Sequence, residues 1–187
     1  MQVVNLLLVL VFLSLTVCKA ENELERKPVS PLVQNGWKRV SKHIALPDIW
    51  GRLVSEGITH DKENWFLNSK HVIYKATRDP VKLLMKNENA IPKELREQKF
   101  DHIGDIDCVA ADGVIYGGFE QGANTPGILA SWNSTDLSLI QYKHITQNGA
   151  PWVAADPTTR LLYSTAWNDQ TRINVFDMDT LQQREDL

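Results

Sequence analysis

Three apolar segments recur along this chain at a spacing of about 40–50 residues, each with the same order of short strands and polar turns. That repeat predicts an all-β fold, a partial β-propeller of about three four-stranded blades from a ring of roughly six or seven. The first unit reads Gly57-Ile58-Thr59-His60-Asp61, Trp65-Phe66-Leu67 and Val72-Ile73-Tyr74-Lys75. The second reads Gly104-Asp105-Ile106-Asp107-Cys108-Val109, Val114-Ile115-Tyr116 and Ile128-Leu129-Ala130-Ser131-Trp132. The third reads Trp152-Val153-Ala154-Ala155-Asp156, Leu161-Leu162-Tyr163 and Ile173-Asn174-Val175-Phe176-Asp177. One unit alone cannot bury its apolar faces, so each needs neighbours.

Residues 1–20 stand apart. Val3 to Leu15 is almost wholly apolar, and Cys18-Lys19-Ala20 places small residues at the third-last and last positions before Glu21. This pattern predicts a secretory signal peptide cleaved after Ala20. The run is shorter than the ~20 residues of a membrane span. Residues 21–50 predict a mobile charged terminus, then a candidate ring-closing strand or short helix between Gly36 and Trp50. Residues 51–187 form the incomplete propeller, with the expectation that the whole protein carries about three more blades or that two chains share one ring.

Turn chemistry favours strands over helices. Asp112-Gly113 is a hairpin signal between the first two strands of the middle unit. Asp156-Pro157-Thr158-Thr159 serves the third unit in the same way. Asn133-Ser134-Thr135-Asp136 and Asp177-Met178-Asp179-Thr180 lead into fourth, outer strands, Leu137-Ser138-Leu139-Ile140 and Leu181-Gln182-Gln183. Asn87 to Gln98 breaks the rhythm and predicts a connection with about two helical turns after Pro92. Inner strands buried on both faces explain the continuous apolar runs such as Val114-Ile115-Tyr116.

Charge and cysteine exclude several functions. The net charge is −3, and loss of Lys19 takes it to −4, which gives no basis for nucleic-acid binding. Of two cysteines only Cys108 survives cleavage, so the mature chain has no internal disulfide. Cys108 reads as a buried small hydrophobe. The chain lacks a nucleophile elbow, a His-Glu-x-x-His helix, a phosphate loop and a Cys-x-x-Cys pair.

The densest polar cluster is His102-Ile103-Gly104-Asp105-Ile106-Asp107. Strand alternation puts Asp105 and Asp107 on one face. Two carboxylates sharing a face suit Ca²⁺, the candidate cofactor, with other oxygens completing its shell. In the rival reading Asp105 caps a loop and Asp107 bonds neighbouring amides. His102 is the candidate base. His60, Asp61, Glu120, Trp167 and Asn168 are binding-rim candidates in loops, and solvated loop residues are the rival reading. Asn133-Ser134-Thr135 is an N-glycosylation acceptor.

Asp105-Ile106-Asp107, Val114-Ile115-Tyr116 and the ending Phe176-Asp177-Met178-Asp179-Thr180-Leu181 resemble blades of secreted propellers of the quinoprotein-like and lactonase-like kind. The resemblance covers about residues 57–187, and the Trp-Asp signature of WD-repeat propellers is absent. Gluconolactonase and paraoxonase relatives hold channel calcium with Glu, Asn and Asp, which the resemblance carries onto Asp105 and Asp107.

Three functions follow as expectations. The first is a secreted binding or interaction module for an extracellular ligand or protein, without nucleic acid and without a membrane after signal cleavage. The alternative is a calcium-dependent lactonase or esterase-like hydrolase with its site in the central channel, where Ca²⁺ would polarise a carbonyl and His102 would act as base. A structural or matrix role is the third.

Overall fold

Alternating apolar runs and tight polar turns fold this chain into antiparallel meanders. The computed structural model describes residues 55–122, 124–168 and 171–187. The expected signal peptide and the segment 21–50 lie outside the described residues. The first sheet contains β1 (Gly57–His60), β2 (Asn64–Asn68), β3 (Ile73–Thr77) and β4 (Leu83–Asn87). A short helix, α1 (Lys93–Glu97), sits in the connection. The second sheet contains β5 (His102–Val109), β6 (Val114–Glu120), β7 (Pro126–Asn133) and β8 (Leu139–Asn148). The third contains β9 (Ala154–Asp156), β10 (Leu161–Ser164) and β11 (Asn174–Asp177). Strand order follows sequence order in each sheet, and every pairing is antiparallel. Among the described residues no closed barrel or ring forms, and no helix is long and apolar enough to cross a membrane.

The predicted turns act as their chemistry demands. Gly113 adopts φ +66°, a left-handed conformation that glycine takes without steric cost, and closes the β5–β6 hairpin. Asp156 Oδ1 accepts the Thr158 amide at 2.8 Å, closing β9 onto β10. Leu137 and Leu181 correct the sequence reading. Both have positive φ, 62° and 55°, and each donates its amide back to the residue four before it, Asn133 or Asp177. They end turns rather than begin strands. Consequently β8 starts at Leu139 and runs ten residues, well past Ile140. The predicted fourth strand of the third unit reduces to a single bridge between Gln183 and Phe176.

Packing explains the apolar runs. Phe66 and Ile73 of the first sheet meet Ile106, Ile115, Phe119 and Trp132 of the second, with Ile91 and Leu95 of the connection filling the same core. On the opposite face, Tyr116 and Leu129 meet Leu162, Phe176 and Met178 of the third sheet. The second sheet is thus covered on both faces, so its strands show no clean polar alternation. Trp132 is fully buried, donates its indole N–H to Ala90 O at 3.1 Å and meets Phe119 edge-on at 5.4 Å. Truncating it to Ala costs about 3–5 kcal/mol.

The first strands of the three sheets lie side by side. Thr59 on β1 donates its hydroxyl to Asp107 Oδ1 on β5 at 3.3 Å. Asp107 Oδ2 accepts the Ala155 amide of β9 at 2.9 Å. Farther out, Lys75 Nζ donates to Ser134 O at 2.9 Å, and Arg160 ties Asp112 of the second sheet to Asp179 of the third.

Candidate functional site

The site begins with a backbone crossing. The segment Gly149-Ala150-Pro151 leaves β8 and lies directly on the second sheet. It fits because β5 and β6 have no side chain there. A Cβ on Gly104 would fall 2.6 Å from Ala150 O, and one on Gly118 would fall 2.3 Å from Ala150 Cβ. Asp105 donates its amide to Pro151 O at 2.9 Å, which fastens the crossing to β5. A bulge between Ile103 and Ile106 accommodates this contact.

Glu120, the last residue of β6, pairs in register with His102, the first of β5. The crossing covers it, leaving the residue 3% exposed. Its Oε1 accepts the Ala150 amide at 3.1 Å, and the Trp167 indole N–H lies near enough to favour its charged form. Burial pushes the Glu120 carboxyl above its ordinary value; the Trp167 indole and the nearby His102 offset this only in part. The Trp167 indole rests against Gly149, where a Cβ would stand 2.6 Å from Cδ1. Gly149 has φ +73°, so its backbone also favours glycine. Trp167 is nevertheless 44% exposed. A buried acid therefore lies beside a partly exposed aromatic ring.

Neighbouring groups complete the cluster. His102 Nε2 lies 3.1 Å from Glu56 Oε2. Burial works to raise the Glu56 carboxyl, yet hydrogen bonds from Ser55 and His102 outweigh it and leave the group below its ordinary value. Asn168 donates an amide N–H to Asn124 Oδ1 at 2.8 Å, which links two exposed loops. Beneath them Gln147 is buried and fully engaged. Its Nε2 donates to Ser164 Oγ at 2.9 Å and Thr165 O at 2.7 Å, while Oε1 accepts from Asn174 at 2.7 Å. This network supports the loop that carries Trp167.

The remaining predicted residues fall elsewhere. Asp105 is exposed, but its Oδ1 is packed against Gly57 and accepts the Ile106 amide at 2.8 Å. Burial, then the charge of Asp107, raises its carboxyl. Asp107 accepts from Thr59, Cys108 and Ala155. These are neutral donors from the protein, and they take three of the roughly four lone-pair positions of the carboxylate. Among the described residues no three His, Cys, Asp or Glu side chains gather to hold a metal.

His60 and Asp61 do not join the cluster. Thr59 lies level with Asp107, so His60 lies beyond it, towards the end of β5 opposite His102. Asp61 Oδ1 accepts the Glu63 and Asn64 amides at 2.8 and 2.6 Å, which makes it a turn residue. Burial opposes ionisation of Asp61, but hydrogen bonds from Asn64 and Glu63 win and lower its carboxyl. Asn133 ends β7, and its Oδ1 accepts the Thr135 amide at 2.7 Å at the head of an exposed turn.

The structure thus gathers His102, Glu120, Trp167 and Asn168 at one end. Sequence reasoning missed Glu56 and Asn124 as partners of His102 and Asn168, and Gln147 as the support beneath them; Gly149, a glycine after a polar strand end, was a signal for the crossing. No protein-family model and no curated protein matches this chain.

Proposed function

We propose that this chain is a secreted β-propeller module that binds an extracellular ligand at the Glu120–Trp167 end. Successive meanders with adjacent first strands support the propeller reading. So does a recurring aromatic. Phe66 and Tyr116, opposite Thr59 and Asp107, are buried beneath the following sheet. Tyr163 takes the same place opposite Ala154 and is half-buried. The observation that carries the binding reading is the buried Glu120 carboxylate beside an exposed indole. An acid so engaged positions a contact surface, and rigid aromatic contacts are what binding faces use. The signal pattern of residues 1–20 and the acceptor Asn133 support secretion as a glycoprotein.

The alternative, a calcium-dependent lactonase or esterase-like hydrolase, rests on Asp105, whose outer edge is exposed. Asp107 serves the three sheets instead, and for this reason binding is preferred.

Expression in a eukaryotic cell with assay of the medium tests the proposal. The expected product starts at Glu21, carries a glycan lost in Asn133→Gln, and hydrolyses neither γ- nor δ-lactones nor p-nitrophenyl acetate above buffer, with calcium or with chelator. Calcium-dependent turnover that Asp105→Asn abolishes would establish the hydrolase instead.

A further inference from the structure

We propose that the outer edge of β4 pairs antiparallel with β4 of a second copy of this chain, across a two-fold axis at Met85. The surface is separate from the Glu120–Trp167 end and does not depend on it.

Three observations lead there. The first is an edge. Among the described residues β4 pairs only with β3 and ends its sheet. The side of a strand away from its only partner presents backbone N–H and C=O groups that a further strand can pair. The second is the side chains. Leu83, Leu84 and Met85 are 41%, 50% and 37% exposed, three large apolar residues in a row. The strand β8, which ends the second sheet, differs. Its exposed Ile140 and Tyr142 are separated by Gln141 and followed by Lys143. A lysine on an edge strand ordinarily discourages pairing. In β4 that lysine is Lys86, and its Nζ lies 2.7 Å from Glu88 Oε1, which offsets its charge.

The third observation selects the partner. Lys82 and Glu88 flank β4, three residues before Met85 and three after it, and both are exposed. Antiparallel pairing about Met85 sets Leu83 opposite Asn87, Leu84 opposite Lys86, and each Lys82 level with Glu88 of the other copy. Other registers are worse. An axis at Leu84 sets Lys82 opposite Lys86, and an axis at Lys86 sets two lysines opposite each other. Like charges directly opposite destabilise a strand pair. The edge is thus complementary to itself, which is what a two-fold dimer requires.

A strand of five residues covers far less than the ~1,200–2,000 Å² of a standard interface, so the dimer is weak, with a Kd on the order of 10–100 µM. Sedimentation velocity on the full secreted protein from about 1 to 300 µM tests this. A monomer–dimer equilibrium is expected. Leu84→Lys, which sets a lysine opposite Lys86, should weaken it about tenfold or more. Lys82→Glu and Glu88→Lys each set like charges level and should weaken it several-fold. An equimolar mixture of those two variants should recover the parent affinity, because opposite charges then meet at both ends. Glu88→Lys also brings the net charge nearer zero, so a general charge effect would tighten its association instead. All three positions are exposed, and circular dichroism checks that each variant keeps the parent fold. A protein that stays monomeric throughout overturns the proposal. So does a dimer that Leu84→Lys leaves intact, a Glu88→Lys protein that associates more tightly than the parent, or a mixture that associates no better than its components.

Discussion

Asp107 on β5 accepts the backbone amide of Ala155 on β9 at 2.9 Å, so one carboxylate spans two sheets. Its other oxygen receives the Thr59 hydroxyl from β1 and the Cys108 amide, which brings in the third. Hydrogen bonds to an ionised acceptor are worth more than neutral ones. An acid in this place orders the first strands, because the amide of Ala155 would otherwise be half-buried and unpaired.

Asp107→Ala should therefore destabilise the protein by about 1–3 kcal/mol, read from urea unfolding at neutral pH. Asp107→Asn keeps one acceptor oxygen and should lose less. An Asp107→Ala protein as stable as the parent would show that the three first strands are held without this clasp.

A pH dependence follows from Glu120. Its folded carboxyl sits above the ordinary 4.5 because it is buried. The folded state then binds the proton more tightly than the unfolded state. Stability contributed by this group is present below pH 4.5 and falls as pH rises through the folded value. Urea unfolding of the parent and of Glu120→Gln across that window checks the sign. The difference in stability between variant and parent should grow in favour of the variant as pH increases. Asp105 shifts in the same direction, and Asp105→Asn should act likewise but more weakly, since the residue is exposed.

Cys108 should be inert in the folded protein. Burial, with the charges of Asp61 and Asp107, pushes its thiol up to about 12. The thiolate is the reactive form. At pH 8 a thiol-directed reagent should label the unfolded chain quickly and the native chain at the rate of unfolding alone. Rapid native labelling would contradict the burial of this strand.

Gly118 tests the backbone crossing. A methyl group there meets Ala150 at 2.3 Å, so the crossing must lift. Gly118→Ala should cost about 1–3 kcal/mol by overpacking. Since Ala150 and Trp167 share Glu120, the same change should alter the indole environment, seen as a shift in tryptophan emission.

The strands were legible because apolar runs and turn residues are local. Asp112-Gly113 and Asp156 to Thr159 closed the hairpins that their chemistry foretold. The length of β8 was not legible. Residues such as Gln141 and Lys143 are polar and give no apolar run to extend the strand, while pairing with β7 holds them in the sheet. Leu137 and Leu181 misled for a related reason. A leucine after a polar turn looks like the start of a strand, but the turn itself places it in the left-handed region. Of the site, Glu120, Trp167 and His102 were visible as residue types only. Which end of a strand each occupies depends on strand direction, which separates His60 and Asp61 from them. The hydrogen bonds that Asp107 accepts from Thr59 and Ala155 each span 48 residues, beyond any local pattern.

The closeness of the Trp167 indole N–H to the buried Glu120 carboxyl underlies the account of the binding end. Its most direct test is a pH titration of the indole ¹⁵N–¹H resonances of the secreted protein, with Trp167 assigned by its loss in Trp167→Phe. The account predicts that the Trp167 resonance moves with a midpoint above 4.5 and that Glu120→Gln abolishes the movement. A Trp167 resonance that stays fixed through this range, or that titrates equally in Glu120→Gln, would contradict it.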